Sequence, residues 1–186
     1  VMCGFPGTVG LGKNIDWTGN PLRAELLDIA APPARSAHRQ GPLHVLVIGG
    51  SQGASIFSRV VPDAIAALPD DLRLRVRITQ QCRKEDLAQV RDQYAQAKIQ
   101  ADLSPFFNDI PQRLAAAHML ICRAGASTMA ELTTAGRPAI LVPYPHAIDD
   151  HQTVNAARLS DAGGAWMMPE RDFTPTLRTG RLTSLL

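Results

Sequence analysis

Cys122-Arg-Ala-Gly-Ala-Ser-Thr-Met-Ala-Glu131 is followed by Gly136-Arg-Pro-Ala-Ile-Leu-Val-Pro143 and then by Asp149-Asp-His-Gln152. The first stretch reads as the end of a buried strand, a glycine turn and the start of a helix. The second reads as a helix stop at Gly136 and a short apolar strand stopped by Pro143. The third reads as another polar helix start. Strand, helix, strand and helix in so short a span imply parallel strands joined by helical crossovers.

The same alternation extends outward in both directions. Leu43 to Ile48 is an apolar run ending in Gly49-Gly50, which suits a buried parallel strand. Residues 54–68 place Ile56, Val60, Ala64 and Leu68 at helical spacing, although Pro62 interrupts the stripe. Leu72, Leu74, Val76 and Ile78 alternate with Arg73, Arg75 and Arg77 and predict one half-exposed strand. Further predictions are a helix over 84–97, a strand over 99–103, a helix over 109–117 and a strand over 118–122. A helix over 128–135, a strand over 139–142, a helix over 149–162 and a strand over 165–168 follow. Six strands and five intervening helices give a doubly wound, Rossmann-like parallel α/β sheet, whose ligands sit beyond the strand C-termini.

Three segments follow from the same reading. Residues 1–20, rich in glycine, are expected to be the remnant of a preceding unit and a hinge. Residues 21–173 form the α/β domain, with a loop at 30–42, and residues 174–186 hold the beginning of a helix.

Composition narrows the function. The 186 residues carry a formal net charge of +2, and the arginines are scattered, so nucleic acid is not an expected partner. Cysteines 3, 82 and 122 form no CxxC pair and suit a reducing, cytoplasmic compartment. Cys122 ends an apolar run and reads as a buried small hydrophobe. No apolar run approaches the roughly 18 residues that a membrane-crossing helix needs.

Gly49-Gly-Ser-Gln-Gly-Ala54 opens a helix after a strand, where glycines let a backbone approach phosphate and the helix N-terminus offers N–H groups. Ser51, Gln52 and Gly53 are candidate ligand contacts. The pattern is not GxxxxGK[ST], so a P-loop nucleotidase is not indicated. The second strand ends Thr79-Gln80-Gln81, without the acid that would hold a ribose 2′-hydroxyl, which argues against NAD. Arg123 to Thr128 repeats the same physics on another crossover. Ala126, Ser127 and Thr128 can face phosphate, and Glu131 can accept from a pair of sugar hydroxyls. Alternatively, Thr128 and Glu131 stand at capping-box spacing and serve only the helix. His146, Asp149, Asp150, His151 and Gln152 invite a metal reading, but no third ligand cluster accompanies them. A helix cap at Asp149 or Asp150 explains them more simply, with Gln152 left for sugar hydroxyls. Arg23, in Asn20-Pro-Leu-Arg23, can meet a diphosphate. No Ser-His-Asp or Cys-His set is recognisable.

These residues resemble the donor-binding, C-terminal half of the MurG family of UDP-N-acetylglucosamine transferases. The matching segments are Gly19-Asn-Pro-Leu-Arg23, Gly49 to Ala54, Phe106-Phe-Asn-Asp109, Arg123 to Glu131 and His146 to Ala156, in order over about 160 residues. The resemblance implies a GT-B fold and inverting transfer of GlcNAc from UDP-GlcNAc to a lipid-linked muramyl-pentapeptide. It implies no metal and no other cofactor. By that likeness Arg23 and Ser51 face the diphosphate, Phe107 offers its backbone to uracil, and Ala126 to Thr128 line the phosphates. Glu131 meets the ribose and Gln152 the GlcNAc. The family's acceptor loops, presumed base and apolar membrane-facing patch belong to an N-terminal domain that these motifs do not represent. The chain alone is therefore expected to hold the donor without transferring the sugar. The expected setting is the cytoplasmic face of the inner membrane.

Overall fold

The computed structural model describes residues 2–3, 14, 16–27, 41–50 and 54–175. The Ser51, Gln52 and Gly53 contacts, most of the 30–42 loop and all but the first two residues of the segment expected to begin a helix at 174 lie outside the described residues.

Six strands form one all-parallel sheet: β3 (Leu43–Ile48), β4 (Val76–Gln81), β5 (Gln100–Ser104), β6 (Met119–Cys122), β7 (Ala139–Leu141) and β8 (Ala165–Met167). Their spatial order is β5-β4-β3-β6-β7-β8. The chain first winds outward from β3 and then returns to lay β6 on its other side. The C-terminal ends of β3 and β6 therefore flank the switch point where doubly wound sheets open a crevice. A separate two-stranded parallel pair joins β1 (Met2–Cys3) to β2 (Asp16–Trp17), and it is not part of the main sheet.

Burial follows position in this order. Every residue of β6 and β7 is buried, whereas β5, at the edge, carries Gln100, Ala101 and Asp102 exposed. Uninterrupted apolar character is what a strand covered on both faces requires. The helices divide between two cores. On one face α2 (Ser55–Ala66) and α4 (Leu87–Gln96) pack Phe57, Val61, Ile65, Val90 and Tyr94 against Val45, Val47, Val76 and Ile78. On the other, α1 (Ala24–Leu27), α5 (Ile110–Ala116), α6 (Ala126–Ala135) and α7 (His151–Asp161) gather around Leu46, Leu120 and Leu141. Pro62 does not break α2; it lies buried inside the helix, and packing outweighs the lost hydrogen bond.

One expected strand begins late. Residues 70–73 form a short helix, α3 (Asp70–Arg73), and pairing starts only at Val76. Asp70 and Asp71 in the first turn and Arg73 in the last complement the helix dipole. Arg73 also donates to the Ala97 carbonyl at 2.6 Å and pairs with Asp70 at 2.8 Å, interactions that an extended segment would forgo.

α6 ends as expected, at Gly136, which takes φ +60°. A Cβ in that left-handed conformation meets the following carbonyl, so Gly136→Ala should cost about 1–2 kcal/mol of unfolding free energy. A urea titration in which the variant matched the parent would remove this account of the stop.

Candidate functional site

The crevice at the switch point is a cleft of ≈ 310 Å³. Ile48 and Gly50 close it from the end of β3, Gln81 from β4, and Phe106, Phe107 and Ile110 from the segment after β5. Ser127, Thr128 and Glu131 come from α6, and Arg23 from the residue before α1. Gly50 turns away from its strand at φ +86°, a conformation glycine adopts without cost.

The N-terminus of α6, with Gly125 as its N-cap, carries neither a side-chain cap nor an acid in the first turn, and it is the helix start that lines the cleft. Its leading N–H groups and partial positive charge thus face the cleft unneutralised, the arrangement that binds anions. The capping-box alternative does not hold. The helix begins at Ala126, so Thr128 lies inside the first turn and Glu131 in the second. Serine and threonine at 127 and 128 instead bring hydroxyls to the cleft wall. Asn20 reaches the same turn, its Nδ2 donating to the Ala126 carbonyl at 3.5 Å.

Arg23 and Glu131 meet across the cleft, Nε to Oε1, at 3.5 Å. Burial is the larger influence on Glu131 and pushes its carboxyl above the usual 4.5, while Arg23 draws it back. A half-desolvated carboxylate beside one loosely placed guanidinium retains acceptor capacity for incoming hydroxyls. Cys122, just behind, is fully buried, and burial pushes its thiol up to about 12. It is a packing residue, as its apolar surroundings in the sequence suggest.

The opposite wall is a fixed loop. Gln81 donates from Nε2 to the Pro105 carbonyl at 3.1 Å, and the Ser104 hydroxyl donates to the Phe106 carbonyl at 2.7 Å. Phe107 is buried, with the Arg113 guanidinium 3.9 Å from its ring centre. Arg113 is held by Asp102 at 2.6 Å and Asp109 at 2.7 Å. The result is a rigid backbone edge beside an exposed aromatic, Phe106, suited to a planar base.

Of the expected contacts, Arg23, Phe107, Ser127, Thr128 and Glu131 come together at this cleft, and Ala126 adjoins it as the first residue of α6. Gln152 does not line it. Its Oε1 accepts from the Ala124 N–H at 3.2 Å and the Tyr144 N–H at 3.0 Å, tying the loop after β6 to the loop after β7. The expected helix start at 149 is also displaced. Residues 148–150 form a 3-10 turn, and α7 begins at His151. Asp149 and Asp150 both adopt left-handed backbone, at φ +51° and +50°. Asp150 occupies the N-cap position, but its carboxylate accepts from the Thr153 hydroxyl at 2.6 Å rather than from a helix N–H. Among the described residues, no group of three or more His, Cys, Asp or Glu could hold a metal ion.

Two functional candidates were not evident from spacing. Asn155, buried, donates from Nδ2 to the Ala124 carbonyl at 3.1 Å. Arg123, also buried, donates from Nη1 to the carbonyls of Val142 (3.1 Å) and Pro143 (3.0 Å) and pairs with Glu170 at 2.6 Å. The available signal was a charged residue directly after a wholly apolar strand, which must find partners if buried.

The model for the glycosyltransferase family 28 C-terminal domain matches residues 44–180. A UDP-N-acetylglucosamine–N-acetylmuramyl-(pentapeptide) pyrophosphoryl-undecaprenol N-acetylglucosamine transferase of Rhodospirillum centenum is 52% identical over 191 residues, covering 100% of this chain and 50% of the relative. The protein of the same name from Paramagnetospirillum magneticum is 55% identical over 175 residues, covering 94% and 47%. The crystal structure of Acinetobacter baumannii MurG superposes with a TM-score of 0.78 at 32% identity, over 99% of this chain and 51% of that one. A kitacinnamycin glycosyltransferase shares the fold, with a TM-score of 0.60 at 16% identity, over 92% of this chain and 40% of that one. The chain spans about half the length of the curated relatives it matches.

Proposed function

The chain belongs to the glycosyltransferase family 28 C-terminal domain family, and from that premise we propose that it binds UDP-GlcNAc as the donor half of an inverting GlcNAc transferase. The observation that carries this is the uncapped, acid-free start of α6 at the sheet's switch point, beside Arg23 and Glu131. The diphosphate rests on the N–H groups of residues 126–128 and the hydroxyls of Ser127 and Thr128. Arg23 turns from Glu131 to the phosphates, and Glu131 accepts from the ribose. Uracil lies against the backbone at Phe106 and Phe107.

In the transfer, an acceptor hydroxyl forms the new bond at the sugar C1 as the bond to UDP breaks, and UDP leaves with the electron pair. The helix N-terminus and Arg23 stabilise that growing charge, so the reading calls for no metal or other cofactor. The acceptor is proposed to be the undecaprenyl-linked muramyl-pentapeptide, bound with the general base by the half of the relatives that this chain does not span. Contact with the cytoplasmic face of the membrane is proposed to be peripheral and to use that same half. Among the described residues, no helix is long and apolar enough to cross a membrane.

Calorimetric titration of the 186-residue chain with UDP-GlcNAc, UDP-glucose and NAD tests the reading. UDP-GlcNAc should bind most tightly and NAD not measurably. Tighter binding of UDP-glucose would point to another UDP-sugar enzyme of this fold, and preference for NAD would end the glycosyltransferase reading.

A further inference from the structure

We propose that Arg123 is a positioning residue for the sugar end of the donor site, acting through Gln152; this rests on the UDP-sugar reading above. The strand order supplies the direction. The cleft lies over the ends of β4, β3 and β6, and the next strand outward from β6 is β7. A ligand with its nucleoside in the cleft and its phosphates on α6 therefore extends toward the loop after β7. Gln152 stands there. Both of its neighbours are backbone N–H donors, so its Oε1 must face them, and its Nε2 is left to donate outward.

Gln152 is only as well placed as those two N–H groups, which belong to Ala124 and Tyr144. Arg123 fixes both. It immediately precedes Ala124 in the chain. Its guanidinium holds the carbonyls of Val142 and Pro143, just before Tyr144, and lies 5.3 Å from the Tyr144 ring centre. It is also 5.5 Å from the Phe57 ring centre, and Nη2 meets Glu170. One planar fork thus joins the loops after β6, β7 and β8. Lysine keeps the charge but cannot donate to both carbonyls and the carboxylate in one plane.

The test uses Arg123→Lys and Glu170→Gln in the 186-residue chain, titrated with UDP and with UDP-GlcNAc. Each variant should lose about tenfold in affinity for UDP-GlcNAc, the worth of one ordinary hydrogen bond, and keep that for UDP within about twofold. Hydrogen exchange at the Ala124 and Tyr144 amides should accelerate by about tenfold, with the remaining sheet amides unchanged. Unchanged affinities, or equal losses for UDP and UDP-GlcNAc, would overturn the proposal, as would unchanged exchange at those two amides. A parent chain that bound neither nucleotide would sink the UDP-sugar reading instead, and the exchange measurement would still decide whether Arg123 holds Gln152's anchors. Glu170→Gln keeps the side-chain volume, so it serves if Arg123→Lys does not fold.

Discussion

Glu131→Gln should weaken UDP binding by about 10- to 100-fold and at the same time leave the chain more stable at neutral pH. Glutamine keeps the shape and one acceptor oxygen but loses the charge. Two charge-assisted hydrogen bonds to a ribose diol then become neutral ones, at a cost of about 1 kcal/mol each. The stability effect follows from burial, the larger cause of Glu131's raised pKa. With the folded value above the unfolded one, ionisation costs stability as pH rises from the usual 4.5 to the raised value, and that cost persists above it. Below 4.5 the carboxyl is protonated in both states and the cost is absent. The gain of the glutamine variant should therefore appear in melting curves at pH 7 and vanish near pH 4. By the same linkage, UDP affinity of the parent should fall as pH drops through the raised value, because the diol needs an ionised acceptor. Parent-like UDP binding in the variant would remove Glu131 from the ribose. A stability gain that survived at pH 4 would show that burial of the charge is not its cause.

The residues proposed to recognise the nucleotide and those that hold the cleft in shape differ in how they are written in the chain. Alternation of apolar runs with helical stripes was enough for six parallel strands, because each run is local and its burial on both faces leaves a direct mark. The order of the strands is not local. That β6 pairs with β3 rather than extending the sheet past β5 depends on register across more than 70 residues, from Val45 to Met119. Leu72, Leu74, Val76 and Ile78 alternate as one strand would, but across a junction where end charges and the Arg73 contact with Ala97 make the first half the helix α3. At the site, Ser127, Thr128 and Glu131 stand on one helix, so their spacing alone brought them to one wall. Thr128 and Glu131 at that spacing equally suggested a capping box, and only the position of Gly125 separates the two readings. Gln152 was legible as a first-turn polar residue but not as an acceptor between two loops. Arg123 and Glu170 are 47 positions apart, and no periodicity links them.

Phe57→Ala should be the most damaging single change to stability, lowering unfolding free energy by about 3–5 kcal/mol, a large share of what a domain of this size possesses. Phe57 is wholly buried, in the first turn of α2. Its ring meets Phe173 edge-on, with centroids 5.5 Å apart and planes at 79°. Phe173 follows the 3-10 turn Glu170–Asp172, which comes after the last strand. The pair thus ties the first crossover of the sheet to the segment beyond its final strand, and Arg123 lies against the same ring. Alanine would open a cavity bounded by sheet and helix backbone that cannot collapse, whereas Phe57→Leu should cost less than half as much. In urea unfolding the midpoint should fall with little change in slope. Phe173→Leu should cost less in a Phe57→Leu background than alone, because the two side chains share one contact. Loss below about 1 kcal/mol for the alanine variant would mean that the turn does not dock on α2 in solution. Glu170 sits on that turn, so a native-like Phe57→Ala would also deprive Arg123 of a fixed partner. The stability of the aromatic pair and the placement of Gln152 are in this way one structural requirement, carried by residues that do not line the cleft.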